Sequence, residues 1–158
     1  LYNYFPSKDA LFEACVASRT DDMFAEFLGD RLDPARPAES LELIGRQFVA
    51  LMRADDALRI HRIMYGMAST QPDICERFYL AGPQRITGVV QAYLTAAVAA
   101  GRLQVDDTGL AADQFLALHL GRPHICATLG LGTPPLADDE QLVRENVRLF
   151  LARYGHAP

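Results

Sequence analysis

The sequence contains no tryptophan, three cysteines and no apolar run of the roughly 18 residues that a membrane span requires. The cysteines, Cys15, Cys75 and Cys126, are odd in number and widely spaced, which argues against a disulfide framework and favours the reducing cytoplasm. Basic residues are also scarce, since 15 Lys and Arg against 20 Asp and Glu give a net charge of −5. Because the neutralisation of phosphate groups needs a surplus of Lys and Arg residues, we do not expect this chain to bind a nucleic acid by itself.

The remaining composition is that of a folded domain. The chain has 158 residues, of which 50% are hydrophobic and 22% are charged, and this balance excludes intrinsic disorder. Apolar residues recur at three- and four-residue steps almost throughout, and strand-like alternation never extends beyond a few residues. The sequence therefore predicts an all-α fold, a bundle of about seven helices.

Capping residues and breakers suggest where these helices begin and end. Ser7 is a plausible N-cap of the first helix, Ser40 begins the second, and Asp106, Asp107 or Thr108 caps a later one. The helix that follows Asp55 and Asp56 is apolar around most of its circumference, a pattern typical of a helix buried in the middle of a bundle.

Two glycine- and proline-containing segments predict interruptions. Gly82-Pro83 must kink or break the helical stretch 73–100, because proline lacks an amide donor. The helix 110–129 is disturbed at Gly121-Arg122-Pro123, and the last helix covers 138–154.

Residues 1–16, LYNYFPSKDALFEACV, combine Leu-Tyr-x-Tyr-Phe, a short turn, and Lys-Asp-x-Leu at the start of a helix. This pattern resembles the end of the DNA-binding head in the tetracycline-repressor (TetR) family of transcriptional regulators, where the recognition helix ends and the fourth helix begins. Residues 99–118, AAGRLQVDDTGLAADQFLAL, are similar to the link between the seventh and eighth helices of AefR-like sensor domains in that family.

The resemblance implies a regulator whose helix-turn-helix head is largely missing. Since the chain begins at Leu1 rather than Met, we expect it to be cut. Residues 1–6 would be the end of the recognition helix, and residues 7–158 the effector-binding and dimerisation domain of a cytoplasmic repressor.

The resemblance also implies contacts with operator DNA. Residues at these positions in the family contact mainly the DNA backbone, and here they offer hydroxyls, an amide and a cation that suit phosphate oxygens. Packing is the alternative for the two tyrosines. The predicted backbone contacts are Tyr2, Asn3, Tyr4 and Lys8.

The family's central helices enclose a small, largely apolar effector, and methionine, aromatic and histidine side chains suit such a pocket. Plain core packing is the alternative for every one of them. The predicted ligand-binding residues are Phe48, Met52, His61, Met64, Tyr65, Phe78, Tyr93, Phe115 and His119.

In the family the last two long helices pair with a second subunit, which implies a homodimer. The final helix has an apolar face wider than one contact with the body would need, and a small glycine would let a partner helix approach. The predicted interface residues are Gly121, Leu142, Val143, Val147, Phe150, Leu151 and Tyr154.

Metal binding and catalysis are poorly supported. His119, His124 and Cys126 are close in sequence, but their five- and two-residue steps do not bring ligands onto one helical face. There is no glycine-rich phosphate loop and no paired-carboxylate signature, so we expect no cofactor, no metal and no enzyme. The open alternatives are a stand-alone all-α carrier or small enzyme using the same cavity, and a dimerisation module with a filled core.

Overall fold

The structure, a computed structural model, describes residues 7–27 and 31–156. Within those two ranges the chain is all-α, as predicted, and its β-structure is confined to an isolated bridge between Leu103 and Gly155. None of the helices found there is long and apolar enough to cross a membrane. In order, the helices are α1 (Lys8–Phe27), α2 (Pro37–Arg53), α3 (Asp55–Met67), α4 (Pro72–Ala81), α5 (Pro83–Ala99), α6 (Thr108–Leu118), α7 (Gly121–Thr128) and α8 (Leu136–Tyr154).

Two of the predicted helix caps are confirmed. Ser7 Oγ accepts a hydrogen bond from the amide three residues later at 3.1 Å, and Asp107 Oδ1 does the same at 2.9 Å. The start predicted at Ser40 is wrong, because α2 begins at Pro37, where a missing amide costs no helical bond. Ser40 instead accepts a hydrogen bond from the amide of Asp33 at 2.9 Å.

Both predicted interruptions occur, and they explain why eight helices are found within the described ranges where about seven were expected. Gly82 separates α4 from α5, and Pro83 occupies the first turn of α5. The second break falls at His119 and Leu120, just before the expected segment. Pro123 lies in the first turn of α7, where proline is tolerated.

The hydrophobic core lies between α2, α5, α6 and α8. The Phe115 ring of α6 meets the Phe150 ring of α8 edge-on, with centroids 5.3 Å apart. Each of the four helices contributes a stripe of apolar side chains that is almost completely buried, which leaves α1, α3, α4 and α7 to cover one end of this core. Core members include Leu41, Ile44, Phe48, Val90, Leu94, Phe115, Val143, Val147 and Phe150.

The prediction that α3 is buried all round is wrong. Within α3, burial is limited to Ala57, Leu58 and Met64, whereas the Ile63 and Tyr65 residues are 45% and 59% exposed. The physical reason is that α3 packs at the end of the bundle rather than at its centre. Part of its apolar surface lines a cavity.

Two arginines join helices that are distant in sequence. Arg53 of α2 forms a buried ion pair with Asp139 of α8 at 3.4 Å and donates to the carbonyl of His119 at 3.3 Å. Arg62 of α3 reaches the end of α7, where its guanidinium donates to the carbonyls of Ala127 and Thr128, both at 2.7 Å. These contacts satisfy carbonyls that the helix ends leave without helical partners.

Candidate ligand-binding cavity

A cavity of about 420 Å³ lies at the end of the core, a size ordinary for small-molecule sites. Every helix except α8 contributes to its wall, and most of the wall is apolar. The apolar lining is formed by Val16, Phe48, Leu51, Met52, Ala57, Ile60, Phe78, Pro83, Ile86, Leu116, Ala117 and Leu120. The polar lining is formed by Arg19, Thr20, His61, Tyr65, Thr87, Asp113 and His124.

The structure brings five of the predicted ligand-binding residues together on this wall: Phe48, Met52, His61, Tyr65 and Phe78. They come from three consecutive helices, α2, α3 and α4. His61 lies at the centre of an aromatic cluster, stacked on Tyr65 with ring centroids 6.4 Å apart and edge-on to Phe78 at 5.8 Å.

The other four predicted residues do not line the cavity. Met64 and Phe115 are buried in packing contacts away from it, and Tyr93 donates a hydrogen bond to the carbonyl of Asp33 at 2.8 Å. His119 is fully buried and is hydrogen-bonded through Nδ1 within its own helix. Tyr93 and Phe115 belong to the hydrophobic core, and Met64 is buried on α3 outside that core.

Sequence reasoning missed most of the other lining residues, among them Pro83, Ile86 and Thr87 of α5, and two groups of the missed residues share a regular spacing. On α1, Val16, Arg19 and Thr20 are separated by three and four residues and therefore share one face. On α6, α7 and the residue joining them, Leu116, Leu120 and His124 recur at four-residue steps. This four-residue spacing could have identified these lining residues from the sequence.

The polar groups of the cavity carry little net charge. Burial, reinforced by the neighbouring His124, holds the pKa of His61 at about 4, and burial also lowers the pKa of His124. Both imidazoles are therefore uncharged at neutral pH. Arg19 is balanced by Asp56, whose carboxylate lies 3.2 Å from its Nε.

The cluster considered for a metal is dispersed by the fold. His119 is buried in the core, whereas His124 lines the cavity and Cys126 is half-buried on α7. Across residues 7–27 and 31–156, no group of three His, Cys, Asp or Glu side chains is placed to hold a metal ion.

The predicted DNA-contacting residues lie at the beginning of the chain. Tyr2, Asn3 and Tyr4 lie outside the described residues. Lys8 is the first residue of α1, and its side chain is exposed to solvent.

Three residues predicted for the dimer interface are not available to a partner. Val143, Val147 and Phe150 are buried in the protomer core because this stripe of α8 packs against α2 and α6. Leu142, Leu151 and Tyr154 are half-buried, and Gly121 is exposed. The large apolar residues that α7, α8 and their connection leave exposed are instead Ile125, Leu129, Leu131, Leu136 and Leu149.

Comparison with known proteins decides the family. Residues 39–156 match the model of the AefR-like transcriptional repressor C-terminal domain. The chain belongs to the TetR family. None of the curated proteins matches this TetR-family chain.

Solved structures agree with this assignment. A TetR-family transcriptional regulator from Mesorhizobium loti is 22% identical, with a TM-score of 0.80, over 98% of this chain and 78% of its own. The flavonoid-responsive regulator FrrA is 26% identical, with a TM-score of 0.79 and the same coverages. A TetR regulator from Agrobacterium tumefaciens is 23% identical, with a TM-score of 0.75, over 98% of this chain and 76% of its own.

Proposed function

We propose that this chain is the effector-sensing and homodimerising part of a cytoplasmic TetR-family regulator, and that it is not an enzyme. The observation that carries the proposal is the cavity of about 420 Å³, whose mainly apolar wall includes three residues of α1. Of these three, Val16 is apolar, and Arg19 and Thr20 are polar. In the proposed protein an N-terminal head binds operator DNA, with Tyr2, Asn3, Tyr4 and Lys8 as contacts to its backbone. A small, largely apolar effector occupies the cavity.

The position of α1 supports a route from the cavity to the head. Val16, Arg19 and Thr20 of α1 line the cavity, so an effector contacts the helix that would lead to the head. An effector that fits only one position of α1 shifts the population of conformations towards it. Coupling of about 1–3 kcal/mol would weaken operator binding by roughly 5- to 150-fold.

Ion pairs also connect α1 with three other helices, so a displaced α1 must strain or exchange these contacts. Each pair is at least partly exposed, which makes such exchange inexpensive. The pairs are Arg19 with Asp56 of α3, Glu13 with Arg77 of α4, and Asp21 with Arg85 of α5.

The proposed dimer surface is the exposed apolar set on α7, on the connection that follows it and on α8. Isolated exposed apolar residues are common on monomers, but Ile125, Leu129, Leu131 and Leu136 lie within twelve residues of one another. A second copy of the chain would bury this set. Gly121, at the start of α7, is also exposed, and it lies close in sequence to this exposed apolar set.

The aromatic content of the cavity favours a flat ligand. His61, Tyr65 and Phe78 all line the space, and the ring of His61 contacts the rings of the other two. FrrA is described as flavonoid-responsive, so aromatic molecules of comparable size are the first class of effector to test on this chain.

The sensing proposal is tested by mass spectrometry of small molecules extracted from the chain after purification from a lysate. We expect an apolar molecule to accompany the native chain and to be lost from Ala117→Phe, which fills the cavity from α6. Ala92→Phe is the matched control, because Ala92 is exposed on α5 and does not line the cavity. Equal recovery of the molecule from both variants would contradict the assignment of the cavity.

A further inference from the structure

Two histidines on the cavity wall face each other across helices. His61 belongs to α3 and His124 to α7, and their ring centroids are 6.1 Å apart at an interplanar angle of 72°. Both rings line a space whose surroundings are mainly aliphatic and aromatic. A buried polar group in such surroundings normally has a hydrogen-bond partner, since leaving it without one costs the free energy of its lost hydration.

The histidine pair, His61 and His124, has unused hydrogen-bonding capacity. Among the described residues His61 finds no hydrogen-bond partner; its Nδ1 is closed off from the cavity as well as from solvent, whereas its Nε2 is not. The Nδ1 of His124 is closed off in the same way, and its Nε2 makes only a long contact of 3.5 Å with Thr128 Oγ1. The two Nε2 atoms are therefore the ones that a ligand in the cavity can reach. His119, in the core, also keeps an unpartnered Nε2, although its Nδ1 is bonded at 2.8 Å to the carbonyl of Phe115.

The charges around the cavity disfavour an anionic ligand. The pKa of each paired histidine is lowered by burial, so each ring is neutral at pH 7 and offers one donor and one acceptor. Among the described lining residues the remaining cation is Arg19, and it is paired with Asp56. Asp113 adds a carboxylate on the α6 side of the wall. A bound carboxylate would therefore have to compete with Asp56 for Arg19, and it would lie in the same cavity as the carboxylate of Asp113.

We propose that the ligand of this cavity is an uncharged aromatic molecule that carries a hydroxyl group, and that this hydroxyl is hydrogen-bonded by His61 and His124. The inference rests on the proposed sensing function and names the chemical class sensed. A hydroxyl group can donate to the acceptor nitrogen of one imidazole and accept from the N–H of the other. The apolar wall, including Phe78 and Ile86, covers the rest of the molecule.

Three matched probes distinguish a preference for a hydroxyl group from a preference for a plain hydrocarbon or for an anion. They are 2-phenylnaphthalene, 6-phenyl-2-naphthol and 6-phenyl-2-naphthoate. Their binding to the purified chain is followed by the intrinsic fluorescence of the probes. We expect the naphthol to bind about tenfold more tightly than the hydrocarbon, as one well-placed hydrogen bond of about 1.4 kcal/mol would give. The naphthoate should bind most weakly, because its charge is desolvated without a free cation.

Variants assign the hydroxyl preference to the histidine pair. In His61→Phe and in His124→Phe we expect the tenfold preference for the naphthol to fall to about onefold, while hydrocarbon affinity is kept. Retained hydrocarbon binding also shows that each variant is folded. Tyr79→Phe is the matched control, since Tyr79 is exposed on α4 and does not line the cavity, and it should leave the preference unchanged. Tyr65→Phe tests the competing assignment, in which the hydroxyl on the same wall, rather than the histidine pair, binds the probe.

The outcomes distinguish this inference from the sensing function on which it rests. Equal affinity for the three probes, tightest binding of the naphthoate, or a preference that survives in both histidine variants would overturn the inference alone. Loss of the preference in Tyr65→Phe but not in the histidine variants would also overturn it. If none of the probes binds up to its solubility limit, the sensing proposal fails and this inference fails with it.

Discussion

Gly45 of α2 lies directly against His119 at the end of α6. A Cβ atom at position 45 would be 2.8 Å from His119 Nε2 and 2.9 Å from Val143 Cγ1. His119 cannot move aside easily, because it is fully buried and its Nδ1 must donate to the carbonyl of Phe115, which can only accept. The absence of a side chain at Gly45 therefore allows α2, α6 and α8 to approach one another.

Gly45→Ala should destabilise the domain by about 1–3 kcal/mol, the usual cost of overpacking a filled core. The measurement is urea unfolding, where the midpoint should fall while the slope stays constant. Gly88→Ala is the matched control, since Gly88 lies inside α5 with no atom within 4 Å of the added Cβ. That control should gain up to about 1 kcal/mol from better helix propensity. Equal stabilities of the two variants would contradict the packing argument.

Asp139→Ala should cost about 3 kcal/mol, because it leaves the Arg53 guanidinium buried without its ion-pair partner. The side chains of Arg53 and Asp139 are only 8% and 10% exposed, and Nε and Nη1 of Arg53 already lack hydrogen-bond partners. Thermal or urea unfolding measures the loss. Glu145→Ala, which removes an exposed pair with Arg148, should cost less than about 0.5 kcal/mol. If Asp139→Ala lowered the stability as little as this control does, water would have to solvate the Arg53 guanidinium, and the prediction would be wrong.

Acidification should destabilise the domain in part through His61. Its pKa is about 4 in the folded chain and 6.5 ordinarily, so between these values the unfolded chain binds a proton that the folded chain does not. Stability from this group is complete above pH 6.5 and is lost as the pH falls towards 4, by at most about 1.4 kcal/mol per pH unit. Urea unfolding at pH 7, 6 and 5 should show a shallower loss in His61→Phe. Exposed His156→Gln should behave like the native chain, and an unaltered slope in His61→Phe would contradict the prediction.

Replacing the exposed apolar residues of α7 should dissociate the proposed dimer. Ile125→Glu together with Leu129→Glu should raise the dimer dissociation constant at least about 30-fold, because each places a charge where a second chain would pack. Sedimentation equilibrium or light scattering at micromolar concentration measures the mass. Leu80→Glu is the control, since Leu80 is also exposed but belongs to α4. A native chain with the mass of a single copy would rule out the dimer altogether.

Periodicity and capping were sufficient to predict the helical fold. The hydroxyl of Ser7, the carboxylate of Asp107 and the break at Gly82-Pro83 act locally, and their effect can be anticipated from neighbouring residues alone. The start of α2 was misjudged because the prediction placed it at Ser40, whereas Pro37 is already a suitable first helical residue.

Only some of the residues that line the cavity could be predicted from the sequence, for a geometric reason. An apolar stripe shows that a face is buried but does not show whether it is buried against protein or against empty space. Phe48 and Phe115 both lie on such stripes, yet only Phe48 borders the cavity. The same ambiguity applies to Val143 and Val147, whose stripe on α8 is buried against α2 within the protomer.

Two neighbouring residues in the eight-residue helix α7 have different surroundings. His124 borders the cavity while the next residue, Ile125, points to solvent, and Arg62 fastens the far end of the helix. So short a helix has no room to bend between them. A ligand that displaced the backbone of α7 from the cavity side would therefore also displace Ile125 on the outer surface.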